Sequence, residues 1–188
     1  MKKIATKIHF YLLTFIILNF VGKLIFEFGI ISILEFSIKV LIYLTGFLLF
    51  FWNIKPFKII SIYFSYFVLS PIIIIITWLI DGLLGGLIAS ILLFPLQTDF
   101  VEYKKEQFNI YEKHQGFLDG CCTYLIKERE LLLFEKNIKE IRIDGKIDFN
   151  KSSLSNENGI LKLKYECEGY DYELEKTIKS DSTIVIRH

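Results

Sequence analysis

The chain has 188 residues, three cysteines and a formal net charge of +1 at pH 7. Residues 1–98 carry ten charged side chains, whereas residues 99–188 carry 33 and are net negative. An apolar half of this length is too long to be the core of one small soluble domain. Neither half has the basic surface that binding to a phosphate backbone requires, which argues against a nucleic-acid partner. The sequence predicts a membrane-embedded helical domain, residues 1–98, followed by a small domain in water, residues 99–188.

The first predicted membrane span covers about residues 6–30. Its basic start resembles a signal peptide, but no small-residue cleavage site follows, so we expect the segment to be retained. Lys23 and Glu27 interrupt the apolar run. They are four residues apart, which on a helix places them on one face, where they can pair near the edge of the bilayer.

Three further spans are predicted at about residues 36–53, 58–80 and 82–101. The third contains the longest stretch without a charge. The fourth apolar run is short for about 30 Å of hydrocarbon, and it becomes adequate only if the helix continues through Phe100 and Val101. The predicted fold class is therefore membrane α + β, with a four-helix transmembrane bundle before a small β domain.

The distribution of lysines predicts the orientation of the chain. Lysines precede the first span, join the second to the third and follow the fourth, which places all of them on one side if there are four crossings. Because positive loops stay in the cytoplasm, both termini and the second domain are predicted to lie at the cytoplasmic face of the cytoplasmic membrane. Three crossings would instead place the last pair outside together with the domain. The lysines in question are Lys2, Lys3, Lys7, Lys55, Lys58, Lys104 and Lys105.

The second domain is predicted to be an antiparallel meander of about seven short strands. Apolar and charged residues alternate strictly from Leu161 to Cys167, and again after Gly169, which indicates a hairpin that turns at this glycine. A second hairpin is predicted around the dipeptide Asp144-Gly145. The Ser- and Asn-rich stretch 150–159 is predicted to be a solvated loop.

Cysteine usage argues against a disulfide framework. The count is odd and two of the residues are adjacent, so we expect three reduced thiols on the cytoplasmic side. A metal site or a cysteine nucleophile would need His114 as a partner, yet no ligand spacing supports either, and no cofactor is predicted. The cysteines are Cys121, Cys122 and Cys167.

Two groups of residues are candidates for contacts with other helices or proteins. Asn19 and the small residues Gly82, Gly86 and Ser90, spaced every four positions, are predicted to pack helices together, within the bundle or between copies. An acidic face on the predicted hairpin could dock a basic partner, although such a face is more often only solvated. The acidic residues are Glu166, Glu168, Asp171, Glu173 and Glu175.

These patterns favour a non-enzymatic integral membrane protein whose second domain binds something. An accessory or protective protein fits, for example an immunity protein against a co-encoded toxin, with the lipid bilayer and another protein as partners. The alternative is a small transporter or channel subunit, which would need a buried polar pathway. A lipid-modifying enzyme is disfavoured because His9, His114 and His188 are scattered along the chain. The oligomeric state stays open.

Overall fold

The computed structural model divides the chain into two compact units. The first includes the residues up to Thr98, and the second begins at Asp99. Each unit is described separately. The structure describes residues 2–55, 59–113, 122–143, 145–157, 160–171 and 176–187.

In the first unit, the part of the chain that the structure describes forms four α-helices, with a short strand after the first helix and a 3₁₀ turn after the fourth. Three of the helices are long and apolar enough to cross a membrane, whereas the fourth has 11 residues. The predicted helical region followed by a β domain is confirmed. The elements are α1 (Lys2–Phe26), β1 (Phe28–Ile30), α2 (Ser32–Asn53), α3 (Ile60–Ile80), α4 (Gly82–Leu92) and the 3₁₀ turn (Phe94–Leu96).

Small and aromatic residues form the interior of the helical unit. Ile42, Leu49, Phe64 and Phe67 are buried together. Gly46 allows close packing between α2 and α3, because a Cβ at this position would lie 2.5 Å from the Phe67 ring. The outward sides of the three long helices are covered with exposed Ile, Leu, Phe and Trp side chains. A contiguous apolar surface of this kind is typical of a surface that faces lipid.

The fourth helix is shorter than the sequence predicted. It ends at Leu92, and the 3₁₀ turn that follows contains Pro95. Because proline lacks a backbone N–H and its ring clashes with the preceding turn, it cannot continue the helix. Phe100 and Val101, which were expected to extend the span, belong to a β-strand. At a rise of about 1.5 Å per residue, α4 is about 16 Å long, roughly half of the hydrocarbon thickness.

The described residues of the second unit form seven antiparallel strands in two sheets. In the first sheet the strands of this unit follow the order β5-β4-β3-β2, and in the second sheet the order is β6-β7-β8. Among these seven strands, neighbours within each sheet are neighbours in the chain. The strands are β2 (Phe100–Lys105), β3 (Phe108–Glu112), β4 (Thr123–Leu131), β5 (Phe134–Arg142), β6 (Lys146–Glu157), β7 (Ile160–Asp171) and β8 (Lys176–Arg187).

The prediction of a hairpin turn at Gly169 is wrong. Strand β7 runs through Gly169 to Asp171 without a bulge, and Gly169 pairs with Ile178 of β8. The alternation on both sides of the glycine was interpreted as two strands, whereas Gly169 lies inside one long strand. The link between β7 and β8, residues 172–175, lies outside the described residues.

The segments before β7 also differ from prediction. Asp144-Gly145 does not join two paired strands, because β5 pairs with β4 and β6 pairs with β7 in the other sheet. Residues 150–157, predicted to be a loop, belong to β6. The physical reason is Leu154, the apolar side chain of this polar stretch, which is 2% exposed and lies in the core.

The two sheets enclose one hydrophobic core. Apolar side chains of β3 and β4, such as Ile110 and Ile126, and of β7, such as Leu161 and Leu163, belong to the same buried cluster. The period-two pattern of these strands explains the packing, since alternate side chains of a strand point to the same face of the sheet.

The cysteine prediction is wrong for one residue. Cys122 is disulfide-bonded, and its partner lies outside the described residues. Cys167 is not part of a disulfide and is buried in the core, as a small apolar side chain would be. Cys121 lies outside the described residues, as does His114.

Candidate functional site

The acidic residues predicted to form a docking face are not equivalent in the structure. The Glu166 carboxylate accepts hydrogen bonds from Lys151 Nζ at 3.0 Å to both oxygens. The backbone of Glu168 lies in register with Lys146 and Lys179 on the two neighbouring strands. Lysines therefore accompany both acidic positions, and Glu166 already has a partner within its own sheet.

Asp171 belongs to the same unbroken strand as Glu166 and Glu168. Glu173 and Glu175 lie outside the described residues. The strand does not turn at Gly169, and the docking role of the five acids stays a prediction.

Asn19 stabilises a connection rather than a contact between two helices. Its Oδ1 accepts a hydrogen bond from the backbone N–H of Ile30 at 2.9 Å. Ile30 is buried at the end of β1, the segment between α1 and α2. The side chain therefore satisfies a backbone donor that no helix would satisfy.

The close approach between α3 and α4 occurs at Gly85, next to the predicted series Gly82, Gly86 and Ser90. A Cβ on Gly85 would lie 2.4 Å from the Trp78 ring, whereas one on Gly82 would meet nothing within 4 Å. Ser90 Oγ donates to the Gly86 carbonyl at 3.0 Å within α4 itself. The connection between α3 and α4 turns tightly at Asp81, so the contact of Gly85 with Trp78 lies one helical turn after Asp81.

A charged cluster lies at one end of the helical unit. The Glu35 carboxylate pairs with Lys23 through one oxygen and with Lys39, at 2.8 Å, through the other. Lys39 Nζ also donates to the Gln97 carbonyl at 2.7 Å. The expected Lys23–Glu27 pair is not formed, because α1 ends at Phe26 and Glu27 has a left-handed φ of 55°.

A polar cluster near the other end was missed from the sequence. His9 is fully buried, with Nδ1 2.9 Å from Thr45 Oγ1 and Nε2 2.9 Å from Tyr63 OH. The rings of Phe64 and Phe67 pack against it edge-on. The signal was present, since an ionisable residue inside an apolar run needs partners. These contacts join α1, α2 and α3.

The most unusual surface of the second unit is the turn between β4 and β5, which we name the leucine tip (Leu131–Leu133). Its three side chains are 62%, 86% and 50% exposed, respectively. Charged residues surround it: Glu130 precedes it and Lys136 follows it, with the two charged groups 4.0 Å apart. The sequence signal of this tip is a run of four consecutive apolar residues, 131–134, in a charged region.

The hairpin that carries the leucine tip is held at its base by a buried ion pair. Lys127 Nζ, on β4, lies 3.1 Å from Asp99 Oδ2 and 4.3 Å from the centre of the Tyr111 ring. Both the ion pair and the cation–π contact require Lys127 to stay charged in a dry environment. This arrangement fixes β4 against the start of the second unit.

The other strand of the hairpin is fixed by a buried carboxylate. Glu135, on β5, accepts hydrogen bonds from Asn109 Nδ2 at 2.6 Å and from Tyr111 OH at 2.6 and 2.7 Å. The residues of this network are at most 4% exposed. A fully partnered polar network of this kind makes a structure rigid, so the leucine tip projects from a preorganised base.

A further hydrogen bond joins the two sheets in the core. Tyr124 OH accepts from the Ile147 backbone N–H at 3.2 Å. Burial raises the pKa of the Tyr124 phenol, and the nearby carboxylates of Glu112 and Glu102 act in the same direction. The phenol therefore stays protonated at neutral pH and can also donate.

Among the described residues, no group of three or more His, Cys, Asp and Glu side chains is placed to hold a metal ion. Comparisons of the chain with protein-family models, with curated proteins and with solved structures give no match.

Proposed function

We propose that the chain is a non-enzymatic integral membrane protein of the cytoplasmic membrane that binds another protein through its second unit. The leucine tip is the observation that carries the binding proposal. The three long helices anchor the unit to the bilayer through their exposed apolar sides. An accessory protein, or an immunity protein that protects the cell from a co-encoded toxin, are concrete versions of this function.

The physical argument for a partner is the exposure of the leucine tip. A buried leucine contributes about 1.5–3 kcal/mol relative to an exposed one, and here three adjacent leucines remain in water. The rigid base lowers the entropy that a partner would have to overcome on binding. A preorganised apolar projection with a charged rim resembles the centre and border of a protein interface.

The binding proposal is tested by weakening the leucine tip. In the variant Leu131→Ser/Leu132→Ser, a protein that crosslinks to the wild-type chain in native membranes should be recovered at least tenfold less, because two apolar contacts are lost. Val185→Ser is the matched control, since Val185 is an apolar residue of the same unit with 54% exposure. The measurement is quantitative mass spectrometry after gentle solubilisation.

The proposal fails if the tip variant, shown to be folded by circular dichroism, recovers the same crosslinked protein as the wild type. Membrane insertion is tested separately by alkaline carbonate, which should leave the chain in the pellet. Release into the supernatant would contradict the anchoring role of the helices. For the immunity version, deletion of this gene alone should reduce viability when a toxin gene lies beside it.

The alternative of a small transporter or channel subunit has one observation in its favour, the polar cluster around His9 in an apolar bundle. Conductance or uptake in reconstituted liposomes that is lost in His9→Ala would support this alternative. Among the described side chains, however, no buried polar atom lacks a hydrogen-bond partner. Polar side chains that are hydrogen-bonded to one another link helices more readily than they relay protons or ions, which favours the binding proposal.

A further inference from the structure

We infer that α4 and its 3₁₀ turn form a re-entrant hairpin, so that the chain crosses the bilayer three times and the second unit lies outside the cytoplasm, opposite the N-terminus. The inference rests on the proposed insertion of the helices into a membrane. It replaces the expectation of four crossings, and it deepens the proposed function because it places the partner outside the cytoplasm.

One end of the helical unit, which we name the lysine end, is defined by contacts among three helix termini. Lys2 Nζ donates to the Trp52 carbonyl, and this contact joins the start of α1 to the end of α2. Ser61 Oγ donates to the Asn53 carbonyl at 2.7 Å, which joins the end of α2 to the start of α3. The N-terminus of the chain therefore belongs to the lysine end.

The opposite end, which we name the Glu35 end, contains the end of α1, the start of α2 and the end of α3. The Lys23–Glu35 pair joins the first two. Each long helix runs antiparallel to the one before it. Because α3 starts at the lysine end, it finishes at the Glu35 end. The turn into α4 at Asp81 consequently lies at the Glu35 end.

From this turn, α4 runs back only part of the way. Its last residue, Leu92, accepts a hydrogen bond through its carbonyl from Tyr66 OH. Tyr66 lies about 21 Å from the end of α3 at Ile80, given a rise of about 1.5 Å per residue. Since α4 itself is about 16 Å long, Leu92 lies inside the bundle and short of the lysine end.

After Leu92 the chain turns back toward the Glu35 end. Gln97 Nε2 donates to the Ser90 carbonyl at 3.3 Å, and the Gln97 carbonyl accepts from Lys39 Nζ at 2.7 Å. Lys39 lies about 10 Å from the start of α2 and about 21 Å from its end. The chain therefore leaves the helical unit from the Glu35 half, and the second unit begins two residues after Gln97.

The charges indicate which end faces the cytoplasm. The start of α1 and the link between α2 and α3, which belong to the lysine end, carry five lysines, whereas the Glu35 end carries two, Lys23 and Lys39. By the positive-inside rule the lysine end is cytoplasmic. Counting Lys104 and Lys105 brings the Glu35 end to four lysines, still fewer than the five of the lysine end, and long domains are translocated largely regardless of their charge.

The inference is tested with an impermeant maleimide on intact cells, using single cysteines at two exposed positions. In a background with the native cysteines replaced by serine, Lys104→Cys reports on the second unit and Lys3→Cys on the N-terminus. We expect Lys104→Cys to be labelled at least tenfold faster than Lys3→Cys in intact cells, and the two rates to become similar after lysis.

A second measurement does not depend on removing the cysteines. With the native chain carrying an epitope tag at each terminus, protease added outside intact cells should destroy the C-terminal tag and leave the N-terminal tag intact. Protection of both tags, with both cysteine positions labelled only after lysis, would overturn the three-crossing path. Loss of the N-terminal tag alone would overturn the assignment of the second unit to the outside.

The outcomes separate this inference from the proposed function. If the chain resists carbonate and the tip variant loses its partner while both termini are protected, binding and anchoring hold and only the re-entrant hairpin is refuted. If the chain is released by carbonate, the membrane proposal itself fails.

Discussion

Gly85 has a hydrogen atom where other residues have a Cβ, and this allows α3 and α4 to approach closely. The ring and the backbone Cα of Trp78 lie 2.4 and 2.6 Å from the position that a Cβ would occupy. Backbone cannot move aside as the end of a flexible side chain can. The glycine therefore sets the distance between α3 and α4.

Gly85→Ala should accordingly destabilise the helical unit. Forcing a methyl group into a packed contact costs about 1–3 kcal/mol, so the unfolding midpoint in mild detergent should fall. Gly82→Ala is the matched control, because its Cβ would meet nothing within 4 Å. Thermal unfolding followed by circular dichroism compares the two variants. Equal midpoints would mean that α4 does not pack on Trp78.

His9 shows what residue-level reasoning can and cannot predict. An ionisable side chain in an apolar run must find partners, which is predictable from composition. That the partners are Thr45 and Tyr63, 36 and 54 residues away, follows from helix packing that no local pattern encodes. The same holds for Lys23, whose partner Glu35 lies across a helix connection rather than on the same helix.

Among the strands, the β4–β5 hairpin depends on the ion pair at its base. Lys127 has 5% of its side chain exposed and Asp99 has 22%. Removing one partner of a buried pair leaves the other charge without compensation, which costs about 3–5 kcal/mol for a fully buried pair and less here because Asp99 keeps some contact with water.

Lys127→Met should therefore destabilise the second unit by about 2–3 kcal/mol, and adding Asp99→Asn should restore part of the loss. Denaturant unfolding of the full chain in detergent, followed by tyrosine signals in the near-ultraviolet, provides the measurement. If the two single substitutions add without any coupling, Lys127 and Asp99 do not interact in solution. The single-substitution variants also test whether the leucine tip needs a rigid base to retain its crosslinked partner.

Strands were predictable where one face is apolar and the other charged. The alternation from Leu161 to Cys167 predicts β7, because these side chains alternate between the core and solvent. The end of β7 was not predictable, since a glycine fits both a turn and a strand interior. The strand segment around Leu154 was not predictable either, because one buried leucine in a polar stretch is too weak a signal for a strand.

For the molecule as a whole, composition predicted the two kinds of structure, and the three longest apolar runs correspond to the three long helices. What composition could not supply was the path after α3. Fourteen apolar residues are compatible with a crossing or with a partial return, and Pro95 and the contacts of Gln97 support the partial return that we propose. One membrane crossing more or fewer changes the side of the membrane on which the rest of the chain lies.

The order of strands in the two sheets has a consequence for how the second unit assembles. Because β3, β4, β5, β7 and β8 each pair with the strand made just before, these five ladders close over short stretches of chain. Low contact order of this type is associated with rapid folding. Each hairpin can form as soon as its second strand has emerged from the ribosome or a translocation channel, without waiting for the C-terminus. A chain that assembles in this vectorial manner is well suited to threading through a membrane before it adopts its final shape.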